Sequence, residues 1–237
     1  MKTKKSRKSP IGTTFVNFVL DMTGSMSTVW RATMSGFNEY LSKLKADTKS
    51  NYRFTLSVFN SETGVSVRHA AVPLGDVAEL NDKNYTPLGM TPLYDAVART
   101  IRYTEGKIRE TKPEPAVLTV VMTDGEENAS REHTLAAVRA LVEAKQKEGW
   151  VFLFLGANMD SWAVAHSIGV AAVGQTLSYP STPQGVGQSI GAAAIATVNY
   201  SHSTGGLRPQ HTAAYSGLLK DAEEEEKKKR KATTPNG

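Results

Sequence analysis

The sequence predicts an α/β protein with a doubly wound, mostly parallel central sheet, one antiparallel edge strand and helices on both faces. Three observations lead there. Strand-like and helix-like hydrophobic periods alternate along most of the chain, which is the signature of β-α-β units rather than of a bundle or a sandwich. Two runs, Val117 to Met122 and Val151 to Leu155, are almost uninterruptedly apolar, as interior parallel strands covered on both faces must be. Two alternating runs, Tyr52-x-Phe54-x-Leu56-x-Val58 and Val65-x-Val67-x-His69, are joined by Ser61-Glu62-Thr63-Gly64 and read as an antiparallel hairpin.

Each element follows from its residues. The first strand, Phe15 to Leu20, runs into Asp21. Beyond it, Trp30, Met34, Phe37, Leu41 and Leu44 recur at intervals of four and three, one face of a helix that Ser27 or Thr28 is placed to cap. Pro73 to Pro87 reads as a connector with one short helical turn near Val77 to Leu80. Pro92 suits the first turn of the next helix, which buries Leu93, Val97, Ile101 and Ile108. Ser130 is placed to cap a third helix carrying Leu135, Val138, Leu141 and Val142 and stopped by Gly149. A shorter helix is expected over Asp160 to Ile168, and Val170 to Val173 as a last edge strand. The three tryptophans, Trp30, Trp150 and Trp162, read as core or rim packing.

The organisation expected is a basic disordered arm over 1–12, the α/β domain over 13–173, a Gly/Ser/Thr-rich extension with one packed helix over 174–214, and a charged tail over 215–237. In the tail, Glu223-Glu224-Glu225-Glu226 precedes Lys227-Lys228-Lys229-Arg230, so each acid stands four residues before a base. With no apolar stripe, this helix is expected to project into solvent or to dock only on a partner. The net charge of +5 is that of the arm: without Lys2, Lys4, Lys5, Arg7 and Lys8, 23 basic residues face 23 acidic ones. A short basic arm argues for solubility rather than for nucleic-acid recognition. There is no cysteine, which excludes disulfides, thiol catalysis and thiolate zinc sites and is compatible with the cytoplasm. The six-residue stretch before Asp21, interrupted by Asn17, is too short for a secretory leader, and no stretch approaches the roughly 20 apolar residues needed for a membrane span. A soluble, cytoplasmic protein is expected.

The chemistry concentrates where apolar runs end. Asp21-Met22-Thr23-Gly24-Ser25 projects one carboxylate and two hydroxyls from a tight turn. Thr91 adds a hydroxyl at a helix start, and Asp124 a second carboxylate just past a central strand. In a doubly wound sheet both strand ends face one crevice. Five hard oxygen donors on one rim suit Mg2+, with Mn2+ or Ca2+ as alternatives. The ordered set Asp21, Thr23, Ser25, Thr91 and Asp124 resembles the metal-ion-dependent adhesion site (MIDAS) of von Willebrand factor A domains, with Thr23 in place of the motif's first Ser. Together with Gly36-Phe37-Asn38, Thr123-Asp124-Gly125-Glu126-Glu127-Asn128 and Phe154-Leu155-Gly156-Ala157-Asn158, the chain from about 13 to 173 is similar to small stand-alone bacterial and phage proteins of that family. The resemblance implies a non-enzymatic, metal-dependent protein-binding module. In it the five residues hold the ion, an acidic side chain of a partner completes the coordination, and an AAA-type ATPase is one such partner.

The main alternative is an Mg2+-dependent phosphotransferase similar to the haloacid dehalogenases, with Asp21 as nucleophile. Its usual Gly-Asp-x-x-x-Asp loop is broken here, with Thr123 in place of Gly and Asn128 in place of the last acid. A third reading makes the five residues mere turn and cap formers. Asp95 is placed to orient Thr91 or to complement a helix dipole, and Glu126, Glu127 and Asn128 flank the proposed site, either to tune partner choice or as solvated loop residues. His69, His133, His166, His202 and His211 show no ligand spacing, and neither a Gly-x-Ser-x-Gly elbow nor a phosphate-binding Walker loop is present.

Overall fold

The computed structural model describes residues 12–109, 111–157, 160–170, 174–210 and 215–233. Apart from Gly12, the basic arm lies outside them, as do Asn158, His211 and all of the expected last strand except Val170. Among the described residues six strands form one sheet: β1 (Thr13–Asp21), β2 (Asn51–Asn60), β3 (Gly64–Pro73), β4 (Ala116–Thr123), β5 (Val151–Ala157) and β6 (Thr176–Tyr179). Their spatial order is β3-β2-β1-β4-β5-β6. All neighbours are parallel except the β2–β3 hairpin, which forms the antiparallel edge. From β1 the chain winds first towards β2 and later returns to β4 on the other side, so the switch in direction, and with it the crevice, falls between the carboxyl ends of β1 and β4.

Strand alternation sorts the core into two layers. On one side Val16, Phe18 and Leu20 meet α1 (Trp30–Ala46) and α5 (Pro183–Thr204), with Phe18 edge-on to Phe37 at 5.3 Å and to Tyr40 at 5.1 Å. On the other, Phe15 and Val19 meet α2 (Leu93–Ile108), α3 (Leu135–Lys147) and α4 (Ser161–Ser167). Asn17, a polar residue in the middle of a buried strand, is held on both sides: its amide donates to Thr119 Oγ1 at 3.1 Å and its carbonyl accepts from Thr104 at 2.8 Å. Both layers hold the sheet rigid under the crevice. Among the described residues no helix is long and apolar enough to cross a membrane.

Several local expectations need correction. Neither Ser27 nor Thr28 caps α1, because Gly24–Thr28 winds into a 3-10 turn and Val29 occupies the cap without a side-chain bond. Thr134, not Ser130, caps α3 through the Ala137 N–H. The short turn in the connector lies at Leu74–Asp76, ahead of Val77. β6 is a strand the sequence does not mark, in register with β5 from Phe154↔Thr176 to Ala157↔Tyr179, while the strand expected over Val170 to Val173 lies outside the described residues beyond Val170. Trp150 is buried, but Trp162 is 58% exposed and stacks on His166.

The charged end also departs from expectation. α6 (Leu218–Thr233) lies against α5 and buries Leu219, Ala222 and Glu226, a stripe spaced by three and four residues whose last member is disguised as a charge. Glu226 accepts from Arg230 Nε at 2.6 Å and lies 3.4 Å from Lys43 Nζ on α1. Gly191 makes this approach feasible, since a Cβ there would sit 2.5 Å from Glu226 Oε1.

Candidate metal centre

β1 delivers Asp21 to the rim fully buried, and both of its carboxylate oxygens are engaged. Oδ1 accepts the Thr23 N–H at 2.7 Å, and Oδ2 accepts the hydroxyl of Thr123, the last residue of neighbouring β4, at 2.6 Å. The Tyr85 hydroxyl donates to the Asp21 carbonyl at 2.6 Å and fixes the turn from below. From there the oxygens form a connected path. Thr23 Oγ1 lies 3.0 Å from Ser25 Oγ, which donates to Asp124 Oδ1 at 2.5 Å.

Thr91 reaches the same point from a different direction. Asn128 clamps its backbone, accepting the Thr91 N–H on Oδ1 at 2.8 Å and donating its own N–H to the Thr91 carbonyl at 3.1 Å. The hydroxyl then faces Gly125 so closely that a Cβ there would stand 2.9 Å from Thr91 Oγ1 and 3.6 Å from Ser25 Oγ. Only glycine leaves this space open. All five residues predicted from the sequence are therefore brought to one spot at the β1–β4 switch.

Three residues outside the five expected ligands build the frame. Thr123 Oγ1 also accepts the Gly125 N–H at 3.1 Å, so it ties the two acidic turns together. Glu127 is no free loop acid: it accepts the N–H groups of Tyr94, Ala129 and Ser130. Tyr85 reaches Asp21 across 64 residues. None follows from a periodic pattern, because each is a long-range hydrogen bond from a residue type common in loops.

Electrostatically the site is short of positive charge. Burial pushes Asp21 up from an ordinary 3.8 to about 6, against the lowering effect of its bonds to Thr123 and Thr23, and the Asp124 charge raises it further. Burial also raises Asp124, opposed by the Ser25 bond. Among the described residues no ion pair involves either acid. The hydroxyl of buried Tyr179 has no hydrogen-bond partner among the described residues and is pushed upward by burial and by the Asp124 and Asp21 charges. Two unbalanced carboxylates and three hydroxyls, an all-oxygen set, fit a hard divalent cation.

A second acidic group, Asp95, Glu132 and His133, brings its ligand atoms within 4.8 Å of one another. Its carboxylates are already used. Asp95 accepts the backbone N–H groups of Arg131, Glu132 and His133, and Glu132 pairs with Arg99. Burial alone would raise Asp95, but those bonds outweigh it and hold its pKa below the ordinary value. Asp95 thus clamps the loop after β4 rather than bonding to Thr91.

No family model matches the sequence, and no curated protein does. Solved structures match the fold. Proximal thread matrix protein 1 from the mussel byssus, with a zinc-occupied MIDAS motif, aligns at TM-score 0.57 and 10% identity over 80% of this chain and 46% of its own. A von Willebrand factor type A protein from Catenulispora acidiphila aligns at 0.53 and 13% identity over 79% and 43%. Manganese-loaded TRAP protein of Plasmodium vivax aligns at 0.53 and 13% identity over 71% and 68%. The architecture is that of the von Willebrand factor A fold, and this chain spans less than half the length of the first two proteins.

Proposed function

We propose that this chain is a metal-dependent protein-binding module in which Asp21, Thr23, Ser25, Thr91 and Asp124 hold Mg2+ and the ion captures an acidic side chain of a partner protein. The observation that carries this is the convergence of those five oxygen-bearing side chains at the β1–β4 switch, with no ion pair to either acid among the described residues. A bound divalent ion supplies that charge and an acceptor position for a visiting carboxylate. The chain's own residues do the rest. Thr123 and the Thr23 amide orient Asp21, Asn128 orients Thr91, and Gly125 keeps the approach clear.

Structural neighbours holding zinc and manganese support a divalent ion, and the all-oxygen donor set favours Mg2+ or Mn2+ over zinc. Against the phosphotransferase reading stands the loop after β4, where Thr123 and Asn128 occupy the positions at which that family carries Gly and its last acid. On the sequence resemblance we further propose a small bacterial or phage protein acting in the cytoplasm, with an AAA-type ATPase as partner; no nucleic-acid or membrane role is proposed. The test is thermal: millimolar Mg2+ or Mn2+ should raise the melting temperature of metal-stripped protein. At 100-fold excess over Kd the gain is about 2.7 kcal/mol, or roughly 5–10 °C for a chain of this size. Asp21→Ala and the milder, surface-exposed Ser25→Ala should abolish or reduce the rise. An unchanged melting curve in wild type overturns the reading.

A further inference from the structure

The loop that carries Thr91 presents two large apolar side chains to solvent, Leu88 and Met90, 54% and 53% exposed. Single exposed apolar residues need no explanation. These two differ because their backbone is tied at every residue: Leu88 N–H to the Met22 carbonyl at 2.9 Å, the Gly89 carbonyl to the Gly24 N–H at 2.9 Å, and Met90 N–H to Ser61 Oγ at 2.8 Å. A rigid loop thus displays an apolar pair beside the metal centre. From Met90 a groove of about 420 Å³ leads away past Val65, Pro92 and Asn128 to Arg131. Asn128 is the residue that clamps Thr91, so groove and metal centre share a wall. The charges along the groove are unequal in availability. Asp95 is spent on backbone N–H groups and Glu132 on Arg99, whereas exposed Arg131 has no carboxylate partner among the described residues.

We propose that the Leu88–Met90 rim and this groove form one docking surface for an extended protein segment of mixed acidic and apolar character. One acid meets the ion, a neighbouring apolar side chain covers Leu88 and Met90, and a second acid pairs with Arg131. The charge pattern selects this occupant: cation and guanidinium both call for carboxylates, and Met90 of the apolar rim lines the same groove as Arg131. The inference rests on the metal-centre reading.

The test uses the full chain with saturating Mg2+ and two blocked peptides, Gly-Glu-Leu-Gly-Glu-Gly and Gly-Glu-Ser-Gly-Glu-Gly, titrated by NMR. The leucine peptide should bind about fivefold tighter. Leu88→Ser with Met90→Ser should erase that preference, and Arg131→Gln should weaken both peptides several-fold, while all variants keep the metal-induced rise in melting temperature. Equal binding of the two peptides to wild type, or a preference surviving in the double variant, overturns the docking surface. A metal-induced rise without binding of either peptide overturns the surface and leaves the metal centre standing; loss of the rise in wild type overturns both.

Discussion

Asp21→Asn isolates the charge at the centre of the site. In the metal-free protein the Asp21 carboxyl titrates at about 6 rather than 3.8, because burial disfavours its ionised form. A folded-state pKa above the unfolded one means that the folded state binds more protons between the two values, so stability falls as pH rises from about 4 to about 6 and stays low above. The difference corresponds to about 3 kcal/mol at full effect. Asn keeps the shape and the bonds: its carbonyl accepts from the Thr23 N–H, and its amide donates to Thr123 Oγ1, which turns its own proton to the Gly125 carbonyl 3.0 Å away. Without metal, the variant should therefore melt above wild type at pH 7.5, by roughly 6–12 °C at full effect, with the gap closing towards pH 4. Mg2+ should raise wild type and leave the variant unmoved. Calorimetry across pH in metal-stripped buffer reads this directly. A variant that melts below wild type at pH 7.5, or a gap independent of pH, refutes the reasoning.

Two further outcomes follow from the frame and the end of the chain. Thr123→Val removes the donor to Asp21 Oδ2, so it should raise the Asp21 pKa further and weaken metal binding about 10–100-fold at pH 7, with part of the loss recovered at pH 8.5; metal titration at the two pH values checks it. Leu219→Ala should cost about 2–4 kcal/mol in urea and speed proteolysis of α6 while leaving the metal response intact; a cost below about 0.5 kcal/mol would mean that α6 does not pack on α5.

The sheet and the meeting point of the five site residues were legible because both depend on local signals. Continuous apolar runs mark β4 and β5 as interior strands, and in a doubly wound sheet the residues that follow such strands must share a rim. Asp21 ends β1, Asp124 follows β4, and Thr91 precedes α2. What escaped was long-range or disguised. Thr123 reads as one more strand residue, yet its hydroxyl joins Asp21 to the Gly125 turn. Asn128 and Glu127 read as loop polarity, yet each closes backbone bonds across more than 30 residues. The stripe of α6 hides because Glu226 is charged and gains its partners only from Arg230 and Lys43. β6 has four residues and is mostly half-exposed, too short for alternation to register.

The central claim is that this rim holds one divalent ion through Asp21, Thr23, Ser25, Thr91 and Asp124. Electron paramagnetic resonance of Mn2+ tests it without recourse to stability, since only the free ion gives the sharp six-line signal. Titrating Mn2+ into wild type at pH 7.5 should suppress that signal up to one equivalent, with Mg2+ restoring it in competition, and the Asp21→Asn, Asp124→Asn double variant should suppress nothing. A full free-ion signal in the presence of wild type, or equal suppression by the double variant, would contradict the account.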